Sequence, residues 1–160
     1  MKTRNAPRRP TQLRGFTTVE LLIALVIVGV LVSIALPSFQ NSIRKGRRSE
    51  AFAALAQLQQ SQERWRSGHP AYSTSLSELG VTSPTPTGYY TLTVAESGAV
   101  GDTLATAYAA SAFGVAGTSQ AKDAECRNVS VRMRGGVLEY AGCGSCSTFS
   151  YAPTNACWSR

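Results

Sequence analysis

The run from Leu21 to Leu36 holds sixteen residues, fourteen of them aliphatic or alanine, interrupted only by Gly29 and Ser33. No solvent-facing surface of a small domain carries such a run. As a helix rising about 1.5 Å per residue, Phe16 to Leu36 reaches roughly 30 Å, the thickness of a bilayer's hydrocarbon core. A helix buried in a soluble core would need protein on every side, and the rest of the chain is too short to surround it. The sequence therefore predicts one membrane crossing.

The chain has 160 residues, room for one domain besides the span. Its net charge is +7, but Lys2, Arg4, Arg8, Arg9 and Arg14 give the first fifteen residues +5, so the remainder carries only +2. The basicity thus belongs to a leader, and it is a weak argument for nucleic acid. A basic leader before an apolar stretch also describes a secretory signal. Such a signal ends at small residues where it is cut, whereas Ala35-Leu36-Pro37 runs straight into more helical pattern. Charge alone does not orient the span, because Arg44, Lys45, Arg47 and Arg48 on the far side balance the leader.

Glu20 is the residue that asks for a function. A carboxylate at the first turn of an apolar span is unfavourable and needs a partner. Cutting the chain between Gly15 and Phe16 would free an ammonium at Phe16, one helical turn from Glu20, able to pair with it or with the Glu of a neighbouring chain. The stretch Arg14-Gly15-Phe16-Thr17-Thr18-Val19-Glu20-Leu21-Leu22-Ile23-Ala24-Leu25-Val26-Ile27-Val28-Gly29-Val30-Leu31 resembles the class III signal of type IV pilins and the related pseudopilins. The resemblance implies cleavage after Gly15 by a prepilin peptidase and N-methylation of Phe16. It also implies a membrane-stored helix whose Glu20 neutralises a neighbour's N-terminus during filament assembly. Gly29 and Pro37 stand where such helices loosen or bend, since Gly disfavours helix and Pro37 has no N–H for the carbonyl of Ser33.

Beyond Pro37, the apolar residues Ile43, Ala51, Ala54, Leu55, Leu58 and Trp65 fall near three- and four-residue spacing, a stripe that predicts helix to about Arg66. Ser67-Gly68-His69-Pro70 ends it. Residues 67–88 read as a Ser-, Thr-, Pro- and Gly-rich loop, with one short helical segment suggested by the capping-box spacing of Ser75 and Glu78. Strands are expected at Tyr89–Val94, within Leu104–Phe113, at Val129–Met133 and at Val137–Tyr140, with Gly135-Gly136 as a hairpin turn. Consecutive strands without helices between them give an antiparallel meander, and a helix on its apolar face makes an α+β fold. The resemblance implies the same arrangement, that of the type IV pilin fold. The expected organisation is a leader over 1–15, a transmembrane and assembly half-helix over 16–36 and an amphipathic half over 37–66. An αβ loop over 67–88 and a sheet with a disulfide-bonded tail over 89–160 complete it.

Four cysteines lie in the last thirty-five residues, and four permit three pairings. Cys143-Gly144-Ser145-Cys146 has the spacing of a redox or zinc site, yet no helix pattern follows it and no second such pair accompanies it. The tail is similar to that of PilE-type minor pilins, with a Cys before a strand and a terminal Cys157-Trp158. With the head in an oxidising compartment, Cys126 is expected to pair with Cys157, which that likeness covers, and Cys143 with Cys146, which are additional to it. His69, the single histidine, has no nucleophile beside it, and Gly114-Val115-Ala116-Gly117 lacks the pattern of a phosphate loop. No catalytic residue, metal or cofactor is expected, and no enzyme.

The cluster Arg44, Lys45, Arg47 and Arg48 reads as a solvated juxtamembrane turn or as a contact with anionic lipid or another subunit. Nucleic acid is possible there but unsupported, because no aromatic residue interleaves the cations. The expected function is that of a minor pilin, a subunit or assembly primer of a type IV pilus serving twitching motility, adhesion or DNA uptake. Its partners would be the peptidase, other pilins through the N-terminal helix, and the inner membrane. It would cross that membrane once with its head in the periplasm of a Gram-negative bacterium, before reaching the cell surface. The competing expectations are a type II secretion pseudopilin and a single-pass anchored binding protein that never polymerises.

Overall fold

The computed structural model describes residues 15–146 and 148–158. The expected leader, up to residue 14, lies outside them. The chain divides into two compact units, one ending at Phe39 and one beginning at Gln40.

In the first unit, helix α1, Thr18–Arg66, begins. Thr17 caps it: its Oγ1 accepts the backbone N–H of Glu20 at 3.2 Å, satisfying one of the donors a helix start leaves open. The side chains from Val19 to Phe39 stand exposed, Val26 at 67% and Ile34 at 69%, and nothing in this unit covers them. The helix runs through Pro37, which removes one backbone hydrogen bond from its ladder.

The second unit is an α+β head. The later part of α1 buries Ala51, Leu55, Leu58, Ser61 and Gln62, the i, i+3, i+4 face expected of a helix laid on a sheet. The sheet is an antiparallel meander in the order β1 (Tyr90–Ala95), β2 (Ala107–Gly114), β3 (Asn128–Arg134) and β4 (Val137–Cys143). Its inner face presents Tyr90, Leu92 and Val94, then Tyr108, Ala110 and Ala112, then Val129 and Val131 to the helix. The large rings of Tyr90 and Tyr108 are fully buried in this core. Gly135 and Gly136 turn β3 into β4 with φ of 54° and 84°, a left-handed pair suited to a two-residue hairpin.

Both faces of β2 are covered, unlike those of an ordinary two-layer sheet. On the outer face Ser111 and Ser130 face each other in register, their hydroxyls 2.7 Å apart, and Tyr151 OH lies 2.8 Å from Ser130 Oγ. Phe149 packs beside Phe113 and Tyr151, so the segment after β4 folds back over this side. It also bridges the β4 edge through reciprocal hydrogen bonds between Tyr140 and Ala152. At the opposite edge, Ser83 Oγ accepts the N–H of Leu92 and donates to its carbonyl, and Thr85 N–H donates to the carbonyl of Tyr90.

Two details depart from the sequence reading. Residues 76–80 form a turn rather than a helix: Ser75 Oγ accepts the Glu78 N–H at 3.4 Å, but the Glu78 carboxylate accepts from Ser73 Oγ at 2.6 Å instead of closing the capping box. The run expected as a strand from Leu104 starts its ladder only at Ala107, because Thr103 to Thr106 is taken up by a turn whose carbonyl at Thr103 accepts from Thr106 and Ala107.

Candidate functional site

Gly15 and Phe16 precede the first turn of α1, exposed, with Phe16 at 84%. Glu20 occupies the third helical position, and Thr17-Thr18-Val19-Glu20 has capping-box spacing, of which the Thr17 half is formed. Its carboxylate is exposed and forms no ion pair among the described residues. A carboxylate in the first turn also complements the helix dipole. Gly29 has no neighbouring atom within 4 Å of a Cβ position, so nothing in the chain itself demands its small size.

Cys126 bonds to Cys157 across Cα atoms 5.5 Å apart, and Cys143 bonds to Cys146. No free cysteine remains among the described residues. The outer bond lies against β4 so closely that a Cβ on Gly142 would come within 2.5 Å of Cys157 Cβ. Trp158, one residue on, donates its indole N–H to the carbonyl of Ala141 at 2.8 Å and packs between Phe52 and Tyr140. The chain end is thus anchored to α1 and to the sheet together. His69 stacks on Trp65 with ring centroids 3.7 Å apart, its Nδ1 2.9 Å from the Trp65 carbonyl, a helix-end position with no reactive neighbour.

The four-cation cluster does not act as one unit. Arg48 turns inward and binds Asp123 in a two-pronged pair at 2.6 and 2.7 Å, with Glu125 at 3.4 Å. Burial of Asp123 raises its carboxyl pKa, but the hydrogen bonds from Arg48 and from the Cys126 and Glu125 backbone, with the guanidinium charge, outweigh it and leave the pKa below the usual carboxylate range. Arg48 is accordingly a structural cation rather than a solvated one. Arg44 donates to the Lys122 carbonyl at 3.1 Å and to Gln40 at 3.3 Å. Arg47 donates to Ser119 Oγ and stacks over Tyr89 at 4.0 Å. The short 3-10 helix Ser119–Lys122 that receives them carried no periodic signal in the sequence.

Residues 37–130 match the family described as type IV minor pilin ComP, DNA uptake sequence receptor. Curated relatives are pilus proteins as well. The type IV major pilin protein PilA of Myxococcus xanthus (strain DK1622) is 37% identical over 67 residues, which cover 42% of this chain and 30% of that protein. The fimbrial protein EcpC of Eikenella corrodens is 46% identical over 39 residues, 24% of this chain and 26% of the relative. A fimbrial protein of Moraxella nonliquefaciens is 49% identical over 39 residues, 24% of this chain and 25% of the relative. The matched segments span between a quarter and a third of these relatives' length.

Proposed function

Since the chain belongs to the type IV pilin family, whose members are structural subunits rather than enzymes, we propose that it is a minor pilin that joins a type IV pilus through its N-terminal helix. The observation that carries this reading is the exposed apolar side of α1 from Val19 to Phe39, opened by one carboxylate at Glu20. Only lipid or other apolar helices can cover such a surface, and exchange between the two is what filament growth requires. Residues 1–15 would be removed at the Gly15–Phe16 bond by the prepilin peptidase, and Phe16 methylated. Residues 16–36 would be held in the inner membrane with the head in the periplasm, until Glu20 meets the N-terminal ammonium of a neighbour. The amphipathic half of the helix over 37–66, the loop over 67–88 and the disulfide-bonded sheet region over 89–160 would form the part displayed on the fibre, with Gly29 and Pro37 as the points where the helix yields.

The test is mass analysis of sheared surface fibres. Methylated Phe16 at the N-terminus of the incorporated chain is the expected result, and an uncut chain absent from fibres would reject the reading. Glu20→Gln and Glu20→Leu should both still insert in the membrane while incorporation falls at least about tenfold, the loss of one charge pair in a low-dielectric setting.

A second reading, DNA reception, is favoured by the description of the matched family. The full chain in detergent would then bind a duplex carrying the organism's uptake sequence at least about tenfold more tightly than a scrambled duplex. Equal binding would leave the chain a filament subunit only.

A further inference from the structure

Beside the later part of α1 lies a cleft of about 380 Å³, at the small end of ligand sites, lined by Ile43, Arg44, Arg47, Thr118, Ser119 and Lys122 among others. Three cations face it and no carboxylate lines it. None of the three is in an ion pair among the described residues, whereas Arg48, the next residue along the chain, has two. The nearby acids are already engaged: Asp123 is held by Arg48, and Glu50 accepts the hydroxyl and the N–H of Thr87.

The arginines are positioned rather than free. Arg44 is oriented by Lys122 and Gln40, and Arg47 by Ser119 and the Tyr89 ring. A guanidinium has five N–H donors. These contacts use two on Arg44 and one on Arg47, leaving donors in a planar fork that matches two oxygens of one phosphate. The Lys122 ammonium is in no ion pair among the described residues, so it adds a point charge to the cleft.

We propose that this cleft binds the phosphodiester headgroup of an anionic phospholipid while the subunit is stored in the membrane. The proposal rests on the reading of the apolar segment as membrane-inserted. Arg44 follows Phe39, the last residue of the first unit, by five residues. Even a fully extended chain of that length reaches no more than about 18 Å, so the cleft stays within range of the headgroup layer. Ile43, 38% exposed, supplies an apolar wall for the glycerol end of the lipid. Duplex DNA is a poorer fit. Its binding proteins typically spread about six to ten phosphate contacts along a strip, whereas this cleft gathers three cations at one place, and Arg48, Arg132 and Arg134 are paired with Asp123, Glu139 and Asp102.

The experiment is native mass spectrometry of the full chain in a non-ionic detergent with an equimolar mixture of phosphatidylglycerol and phosphatidylcholine of identical acyl chains. The wild type should retain phosphatidylglycerol over phosphatidylcholine by about tenfold or more, given three cations at the headgroup. The triple variant Arg44→Gln, Arg47→Gln, Lys122→Gln should bring that ratio to within about twofold, and Lys122→Gln alone should lower it about fivefold. Arg132→Gln with Arg134→Gln removes charge from the sheet and should leave the ratio unchanged. Lys122→Gln serves if the triple variant does not fold, since it removes no contact of the fold. A wild-type ratio near one, a ratio that survives the triple variant, or a ratio lost equally in the sheet variant would each overturn the proposal. So would displacement of the headgroup by excess inorganic phosphate, which would assign the cleft to a free anion, or by duplex DNA, which would assign it to nucleic acid. A chain that retains neither lipid and fails to enter bilayers would sink the membrane reading as well, whereas normal insertion without headgroup preference would sink the cleft alone.

Discussion

Asp123 is 4% exposed and its carboxylate accepts hydrogen bonds from Arg48, from Gln120 and from the backbone of Glu125 and Cys126. Nothing in the sequence marked it, because its partner Arg48 lies 75 residues away and no local pattern encodes which loop a helix residue will meet. The depressed pKa fixes the sign of its pH dependence. A carboxyl whose folded pKa is below its unfolded value stabilises the fold above the unfolded value, and that stability is lost as pH falls through the folded one. Glu50 and Asp102 are shifted the same way, Glu50 because hydrogen bonds from Thr87 and Thr85 outweigh its burial, Asp102 by Ser97 and Arg134. Unfolding free energy should therefore stay level from about pH 7 to pH 5 and decline below about pH 4, where these groups take up protons. Asp123→Asn should cost about 3 kcal/mol at neutral pH by leaving Arg48 uncompensated, and should flatten part of the acid decline. Urea titrations of the full chain in detergent, followed through Trp65 and Trp158, measure both.

At the scale of elements, much was legible because burial imposes periods. The stripe through Ala51, Leu55 and Leu58 predicted the helix that the sheet buries, and the alternating Val129, Val131 and Met133 predicted β3. What escaped was set by partners distant in the chain. Gln62 looks like a residue for water, yet it is fully buried, donating to the Ser73 carbonyl at 2.6 Å and accepting its N–H at 3.1 Å, so it pins the loop after α1. Likewise the double coverage of β2 follows from the returning tail, whose Ser130–Tyr151 contact has no sequence signature. Leu58→Ala opens a cavity under the sheet and should destabilise the head by about 2 to 5 kcal/mol. A thermal or urea transition unchanged within about 0.5 kcal/mol would contradict this packing.

For the molecule as a whole, the sequence divided the chain by character: a run too apolar for water, then a stripe, then strands. Spacing alone left three choices for the cysteines; likeness of the tail reached only Cys126 and Cys157, and the pairing of Cys143 with Cys146 was an expectation from the oxidising compartment. Among the described residues, the two disulfides differ in reach, with sequence separations of 31 for Cys126–Cys157 and 3 for Cys143–Cys146. The chain-entropy model gives about 3 to 4 kcal/mol for the long loop and less than about 2 for the short one. Replacing Cys126 and Cys157 together by serine should thus lower the unfolding free energy more than replacing Cys143 and Cys146, and the reverse order would reject the view that the outer bond closes the fold. The covered rims of the sheet bear on life in a crowd. With Ser83 and Thr85 occupying backbone groups of β1, and Ala152 doing so at β4, neither end offers a long open ladder to a foreign strand. Many copies packed shoulder to shoulder would then stay separate instead of zipping into continuous cross-chain sheets.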